Sequence, residues 1–283
     1  LTRSSAASDV YKRQTLEYNQ GDLWLVATQS TNDVAVYEYP QATYDNSPVY
    51  HYTDYRYNSM MEAFAHDGKM YVSGSQGVYE MPPDGSSPIR VYERGYDSYS
   101  YHSEASVSSN GTMYVFDHNH IDVHYLESGE DLGQTISSPR SDSNEFQLAV
   151  SPAGVLSAAD WRNTGDPSTT GWYVYEWDGS SWSGTLVHSE TDEGYSYYRQ
   201  AEYIIDLSGG QHLAYLNRAG DLRYLTDSTS SDGTWTLEHS DSIGETVNHK
   251  YGGMAMEVTD DGDVHIIFYD SSDNDLLHSR RID

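Results

Sequence analysis

Residues 254–279 read MAMEVTDDGDVHIIFYDSSDNDLLHS. Met254–Val258 is a short apolar run. Asp260-Asp261-Gly262-Asp263 has the composition of a hairpin turn, with Gly262 free to take a positive φ. Val264–Tyr269 is β-branched and aromatic, Ser271–Asp275 is a polar loop, and Leu276-Leu277-His278 opens a third strand. The same plan of strand, tight turn, strand, loop and strand recurs along the whole chain.

Turn glycines mark the recurrence. They fall at Gly21, Gly68, Gly111, Gly154, Gly210 and Gly262, with spacings of 47, 43, 43, 56 and 52 residues. Periods of about 40–50 residues filled with strands point to propeller blades rather than helical solenoids. The expected fold is an all-β, six-bladed propeller of four-stranded antiparallel blades over residues 15–283. Its repeats run at about 15–58, 59–102, 103–144, 145–199, 200–252 and 253–283. The first inner strand looks cut short and the sixth repeat stops after its third strand. The outer strand that would close the ring would come from the N-terminus, where residues 1–14 stand, so the last blade is expected to be incomplete, its closure damaged. A truncated seven-bladed ring is the alternative. No segment carries a 3.6-residue apolar period with caps, so almost no helix is expected.

Residues 1–14, LTRSSAASDVYKRQ, differ from the rest in holding three basic residues against one acid. Asp9-Val10-Tyr11-Lys12-Arg13-Gln14 resembles the translated end of a sequencing adapter. The segment is therefore set apart as an artefactual or disordered leader. On that reading the natural N-terminus lies outside the sequence and a signal peptide is not observable.

Only 37% of the 283 residues are hydrophobic, but 27 are Tyr, so aromatic bodies must fill much of the core. No apolar run approaches the roughly 18 residues of a membrane span, and membrane insertion is not expected. The absence of Cys removes disulfides and thiol nucleophiles. Forty-four acids against 15 basic residues give a net charge of −29, spread along the chain. Such a surface repels phosphate backbones and argues against nucleic acid as a partner. It accommodates cations and neutral, hydroxyl-rich ligands. With only three Lys, the composition suits an extracellular or cell-surface protein, monomeric or part of a longer chain.

Two fragments carry a family likeness. Ser230-Ser231-Asp232-Gly233-Thr234-Trp235, and more loosely Asp178-Gly179-Ser180-Ser181-Trp182, resemble the Asp-box turn of sialidase-like propellers of the BNR type. The resemblance implies that the Asp caps a turn between the third and fourth strands of a blade while the Trp packs between strands. A sialidase would also need an arginine triad, a Phe/Tyr-Arg-Ile-Pro motif and a Tyr–Glu nucleophile pair. That motif is absent, and the arginines occupy no obviously equivalent places. The likeness implies the fold and not the chemistry.

Strand alternation assigns the loops to faces. The second-to-third strand loops and the blade-to-blade connections share one face, here called upper, and the two kinds of hairpin turn share the other. The upper set is longer and chemically richer. Its connections hold Tyr55, Tyr57, Tyr99, Tyr101, His102, Tyr197, Tyr198, Arg199 and Tyr251, the expected ligand-binding residues. Tyr offers a flat apolar face and a hydroxyl, which suits sugar rings or peptide segments. Glu62, Glu104, Glu145 and Glu202 stand near the starts of inner strands, and Asp160 and Asp166 are read as loop residues. Asp270, Asp273 and Asp275 are the metal candidates. No cofactor is required, and Ca²⁺ is the cation such an oxygen-rich loop would take. His118 and His120 alternate on one side of an extended segment, the spacing a transition metal would need, but a third ligand is not evident.

No Gly-x-Ser-x-Gly, P-loop or His-Glu-x-x-His motif occurs. The expectation is a non-catalytic extracellular module that binds a glycan or a protein. A glycan-degrading hydrolase or lyase, and a propeller that spaces larger domains, are the rivals.

Overall fold

In the computed structural model, backbone is described for residues 2–4, 14–19, 22–30, 33–39, 50–53, 60–74, 77–82, 86–93, 104–117, 120–128, 130–139, 146–190, 201–217, 221–227, 234–242, 254–259, 261–270 and 275–281. Among these residues there is no helix, and the strands form six four-stranded antiparallel sheets.

Blade 1 is β2 (Gln14–Asn19), β3 (Asp22–Ser30), β4 (Asp33–Tyr39) and β5 (Tyr50–Thr53). Blade 2 is β6 (Met60–His66), β7 (Lys69–Gly74), β8 (Gly77–Met81) and β9 (Ile89–Glu93). Blade 3 is β10 (Ala105–Val107), β11 (Thr112–Asp117), β12 (His120–Tyr125) and β13 (Glu130–Ser137). Blade 4 is β14 (Gln147–Val150), β15 (Leu156–Arg162), β16 (Gly171–Trp177) and β17 (Trp182–Ser189). Blade 5 is β18 (Ala201–Ile205), β19 (Gln211–Leu216), β20 (Asp221–Asp227) and β21 (Thr236–Ser242). Blade 6 joins β22 (Met254–Val258), β23 (Val264–Asp270) and β24 (Asp275–Arg281) to β1 (Thr2–Ser4).

The first strands of the blades touch one another in sequence, and β22 returns to β2, so the ring is closed. This corrects two expectations. The sixth blade is not left at three strands, because Thr2 pairs with His278, Arg3 with Leu277 and Ser4 with Leu276. Residues 1–14 are also not wholly outside the fold, since Thr2–Ser4 and Gln14 lie in strands. An unpaired β24 would expose a row of backbone N–H and C=O groups, and β1 covers that edge along Leu276–His278.

The core lies between blades rather than within them. Tyr71, Val78 and Tyr92 of blade 2 pack on Met113 and Val115 of blade 3. Phe116, Ile121 and Ile136 of blade 3 pack on Phe146, Leu148 and Ala158 of blade 4. Trp172 and Val174 of blade 4 meet Tyr203, Leu213 and Tyr215 of blade 5. Leu222 and Tyr224 of blade 5 meet Met254, Met256 and Ile266 of blade 6. The large flat rings fill the wedge between radiating sheets, which is one destination of the high Tyr content.

The inner hairpin turns share one construction. In blades 3 to 6 the first turn residue is Ser108, Ser151, Asp206 or Thr259, whose carbonyl accepts from the N–H of a glycine three positions on. Those glycines, Gly111, Gly154, Gly209 and Gly262, have φ of 83°, 83°, 89° and 90°. The pattern is a type I turn closed by a left-handed glycine. In blade 5 the turn glycine is therefore Gly209 and not Gly210. Gly210 instead donates its N–H to Asp206 Oδ1 at 2.7 Å.

The outer hairpin of blade 4 realises the looser of the two Asp-box-like fragments. Asp178 Oδ1 accepts from the N–H groups of Ser180 and Ser181, both at 2.7 Å, and its Oδ2 accepts from Ser181 Oγ at 3.0 Å. These donors, led by the Ser181 N–H, hold its carboxyl down to about 2. Trp182 Nε1 donates to the carbonyl of Ser137 on the neighbouring blade at 2.8 Å. In the stronger fragment, Ser230–Gly233 lies outside the described residues, while Trp235 packs against the core between blades 4 and 5.

Candidate functional site

Every expected ligand-binding residue (Tyr55, Tyr57, Tyr99, Tyr101, His102, Tyr197, Tyr198, Arg199 and Tyr251) lies outside the described residues. So do Asp273, His118 and Glu145. Asp270 and Asp275 are described in backbone only, where they face each other as the last pair of β23 and β24. Among the described residues no group of three His, Asp or Glu is placed to hold a metal.

Two of the acids depart from their expected settings. Asp160 is a buried residue within β15, paired across to Tyr173, and not a loop residue. Glu104 is buried as well and accepts from Gln147 Nε2 at 3.3 Å across the junction of blades 3 and 4. It closes a seam rather than presenting charge at the channel mouth. Asp166 does lie in the loop between β15 and β16, where Ser168 N–H and Oγ hold its carboxyl below the usual range.

The central channel contains a cavity of about 180 Å³ running along the inner strands. Apolar residues such as Ala63, Ala105, Ala149 and Met256 line it together with Ser106, Gln147, Asp206 and Glu257, and the surface they present is more polar than apolar. Below it Asp206 Oδ2 meets His212 Nε2 at 3.1 Å, and His212 Nδ1 meets Tyr224 OH at 2.6 Å. His212 and Tyr224 are both buried, so this relay locks the lower end of blade 5.

The polar groups that converge at the upper face lie in the seams between blades. In the seam of blades 4 and 5, Glu190 follows β17, and its N–H donates to the Thr170 carbonyl at 3.0 Å. Its Oε2 accepts from Tyr215 OH of blade 5 at 2.9 Å. His188 Nε2 stands 3.9 Å from the same carboxylate, with side-chain exposures of 25% for His188 and 16% for Glu190. Burial, with a smaller contribution from Arg223, pulls the His188 imidazole down against the opposing pull of Glu190. Arg223 binds Asp221 at 2.9 Å, and Asp221 is held in turn by the amide of Asn217 at 3.2 Å. Carboxylate, imidazole and guanidinium groups, each partly exposed, thus stand together in this seam.

Blades 2 and 3 carry a seam of matching construction. Tyr92 and His188 occupy equivalent fourth-strand positions, each opposite the residue that precedes a β-bulge. Asp122 and Arg223 are likewise equivalent on the third strand. Tyr92 OH donates to Asp122 Oδ2 at 3.3 Å, and His120 Nε2 stands 3.4 Å from Asp122 Oδ1. His120 is therefore drawn to a carboxylate. None of Glu190, Tyr215 and His188 was among the expected site residues. The sequence signal they offer is a polar residue closing a fourth strand and a charge opening the next blade's third strand.

A Tyr–Glu pair is thus present, but Tyr215 is fully buried, with its ring 5.1 Å from that of Trp172. Its hydroxyl positions Glu190 and is closed to attack on a substrate.

No protein-family model matches the chain, and no curated protein does. Solved structures do. AofleA from Arthrobotrys oligospora is similar at a TM-score of 0.66 and 10% identity, covering 99% of this chain and 86% of that one. SapL1 lectin in complex with alpha methyl fucoside is similar at 0.57 and 12%, covering 97% of each chain. XC5397 of Xanthomonas campestris, described as a gluconolactonase, is similar at 0.59 and 12%, covering 97% and 88%. At these identities the likeness is one of fold: the chain is an all-β propeller of four-stranded antiparallel sheets. Among the described residues no helix is long and apolar enough to cross a membrane.

Proposed function

We propose that the protein is a non-catalytic module that binds a glycan at its upper face, with the seam of blades 4 and 5 as one contact site. The observation that carries this reading is the convergence there of Glu190, His188, Arg223 and Asp221, each partly open to solvent. Sugar hydroxyls both donate and accept, so a mixed rim of carboxylate, imidazole and guanidinium matches them. The similarity in fold to a lectin solved with a methyl fucoside supports the same reading. Against catalysis, the described carboxyls with a displaced pKa (Asp166, Asp178 and Asp206) are all displaced downward. A lowered carboxyl is a poor proton donor at neutral pH, and a glycosidase needs one that is raised.

The test is a glycan array run beside an assay for released reducing sugar. Retained glycan without turnover supports the proposal, and turnover without retention sinks it. Glu190→Gln keeps an acceptor for Tyr215 and removes the charge. It should weaken binding by about tenfold or more, the loss expected for a hydrogen bond to a charged group.

A further inference from the structure

Outside that site, the lower face carries the only Asn-x-Ser/Thr sequence of the chain, Asn110-Gly111-Thr112. This triplet is the acceptor signal for N-linked glycan transfer, and it needs an exposed carboxamide beside a free hydroxyl. The inner hairpin of blade 3 supplies both. Asn110 is exposed at the turn's third position, and the backbone reverses at Gly111 with φ of 83°. Asn110 Oδ1 accepts from Thr112 N–H at 3.1 Å and from Ser108 Oγ at 2.6 Å. Both contacts fall on the carbonyl side of the amide. Among the described residues, Asn110 Nδ2 and Thr112 Oγ1 make no hydrogen bond and stay available. The other inner turns built this way have Ala153, Ser208 and Asp261 at the same position.

A second observation concerns the surroundings. Tyr125, at the end of β12, is 37% exposed, and its ring lies 3.7 Å from where a Cβ on Gly111 would stand. An exposed aromatic face next to an acceptor Asn is a platform on which the first sugar ring can stack. Val155 is another large apolar side chain exposed on this face, at the adjacent turn of blade 4. Ser109 Oγ ties the two turns by donating to the Pro152 carbonyl at 3.4 Å.

We infer that Asn110 is an N-glycosylation site whose glycan covers the Tyr125 rim. The co-substrate is a lipid-pyrophosphate-linked oligosaccharide. The Nδ2–C1 bond forms as the bond from C1 to the pyrophosphate oxygen breaks. The amide proton passes to a base of the transferase, and the lipid pyrophosphate leaves. The attachment lies on the face opposite the proposed ligand site and leaves that site open.

The test is secretion of the full chain through a eukaryotic secretory pathway, followed by intact mass before and after peptide:N-glycosidase. The expected result is an added oligosaccharide on most molecules, removed by the enzyme with conversion of Asn110 to Asp. It should be absent from both Asn110→Gln and Thr112→Ala, and retained in Thr112→Ser. Tyr125→Ala should keep the glycan but lose the rise in Tm that the glycan brings to the wild type. A secreted, folded chain without removable glycan, from cells that glycosylate a control protein, overturns the inference. So does a glycan that survives in both Asn110→Gln and Thr112→Ala.

Discussion

Asp178 shows what one short polar side chain does for a propeller. Its carboxylate gathers two backbone N–H groups and two Ser hydroxyls, so an exposed turn acquires one conformation. Its folded-state pKa of about 2 lies below the ordinary 3.8. The stability it supplies is therefore complete above the unfolded value and is lost as pH falls through about 2. Asp178→Ala should lower Tm at pH 7, and the gap to the wild type should narrow below pH 4 and close near pH 2. Thermal melts of both proteins across that range check this. At the same scale, the sequence leaves Gly209 and Gly210 indistinguishable, since both are glycines one or two residues before β19. The choice is made by Asp206, whose carboxylate captures the Gly210 N–H and leaves the left-handed position to Gly209.

Among elements, the fourth strand is irregular in four of the six blades. Bulges interrupt its pairing to the third strand in blades 2, 3, 4 and 5. A bulge twists an edge strand away from further pairing, which protects a ring of solvent-facing edges. It also explains what was legible in the sequence. Strand positions were readable because period-two apolar runs and turn glycines delimit them. The seam residues were not, because each bulge reverses the side-chain alternation partway along the pair. Alternation read from one end of β17 therefore assigns His188 to the wrong side. The site is also shared between strands of different blades, which no local pattern reports. Trp182 is the clearest link between such elements, reaching from β17 to the Ser137 carbonyl on β13. Trp182→Phe keeps most of the ring contact with Trp177 but removes the donor. It should cost about 1 kcal/mol, the usual net worth of one hydrogen bond, measured by urea unfolding with an unchanged m-value.

For the whole molecule, stability depends on closing the circle without any covalent cross-link, since the chain has no Cys. Two contacts perform the closure: β22 against β2 at the inner rim, and β1 against β24 at the outer. Deleting residues 1–4 leaves the inner contact in place but opens the β24 edge. The shortened chain should melt at a lower temperature and associate with increasing concentration, as light scattering would show. The recurrence of glycines made the circular architecture readable in advance. The place of a closing strand near the N-terminus was readable too, but not that Thr2–Ser4 form it, because three polar residues carry no strand pattern and gain their pairing only from the edge they meet.

The pairing of Thr2 with His278 has one more outcome. The first and last strands described, β1 and β24, run side by side in one sheet. A host protein could take this ring as a guest in a surface loop without stretching either junction. Equally, β24 could be linked to β1 and the chain reopened at a lower-face hairpin such as Ser151–Gly154, with every blade intact.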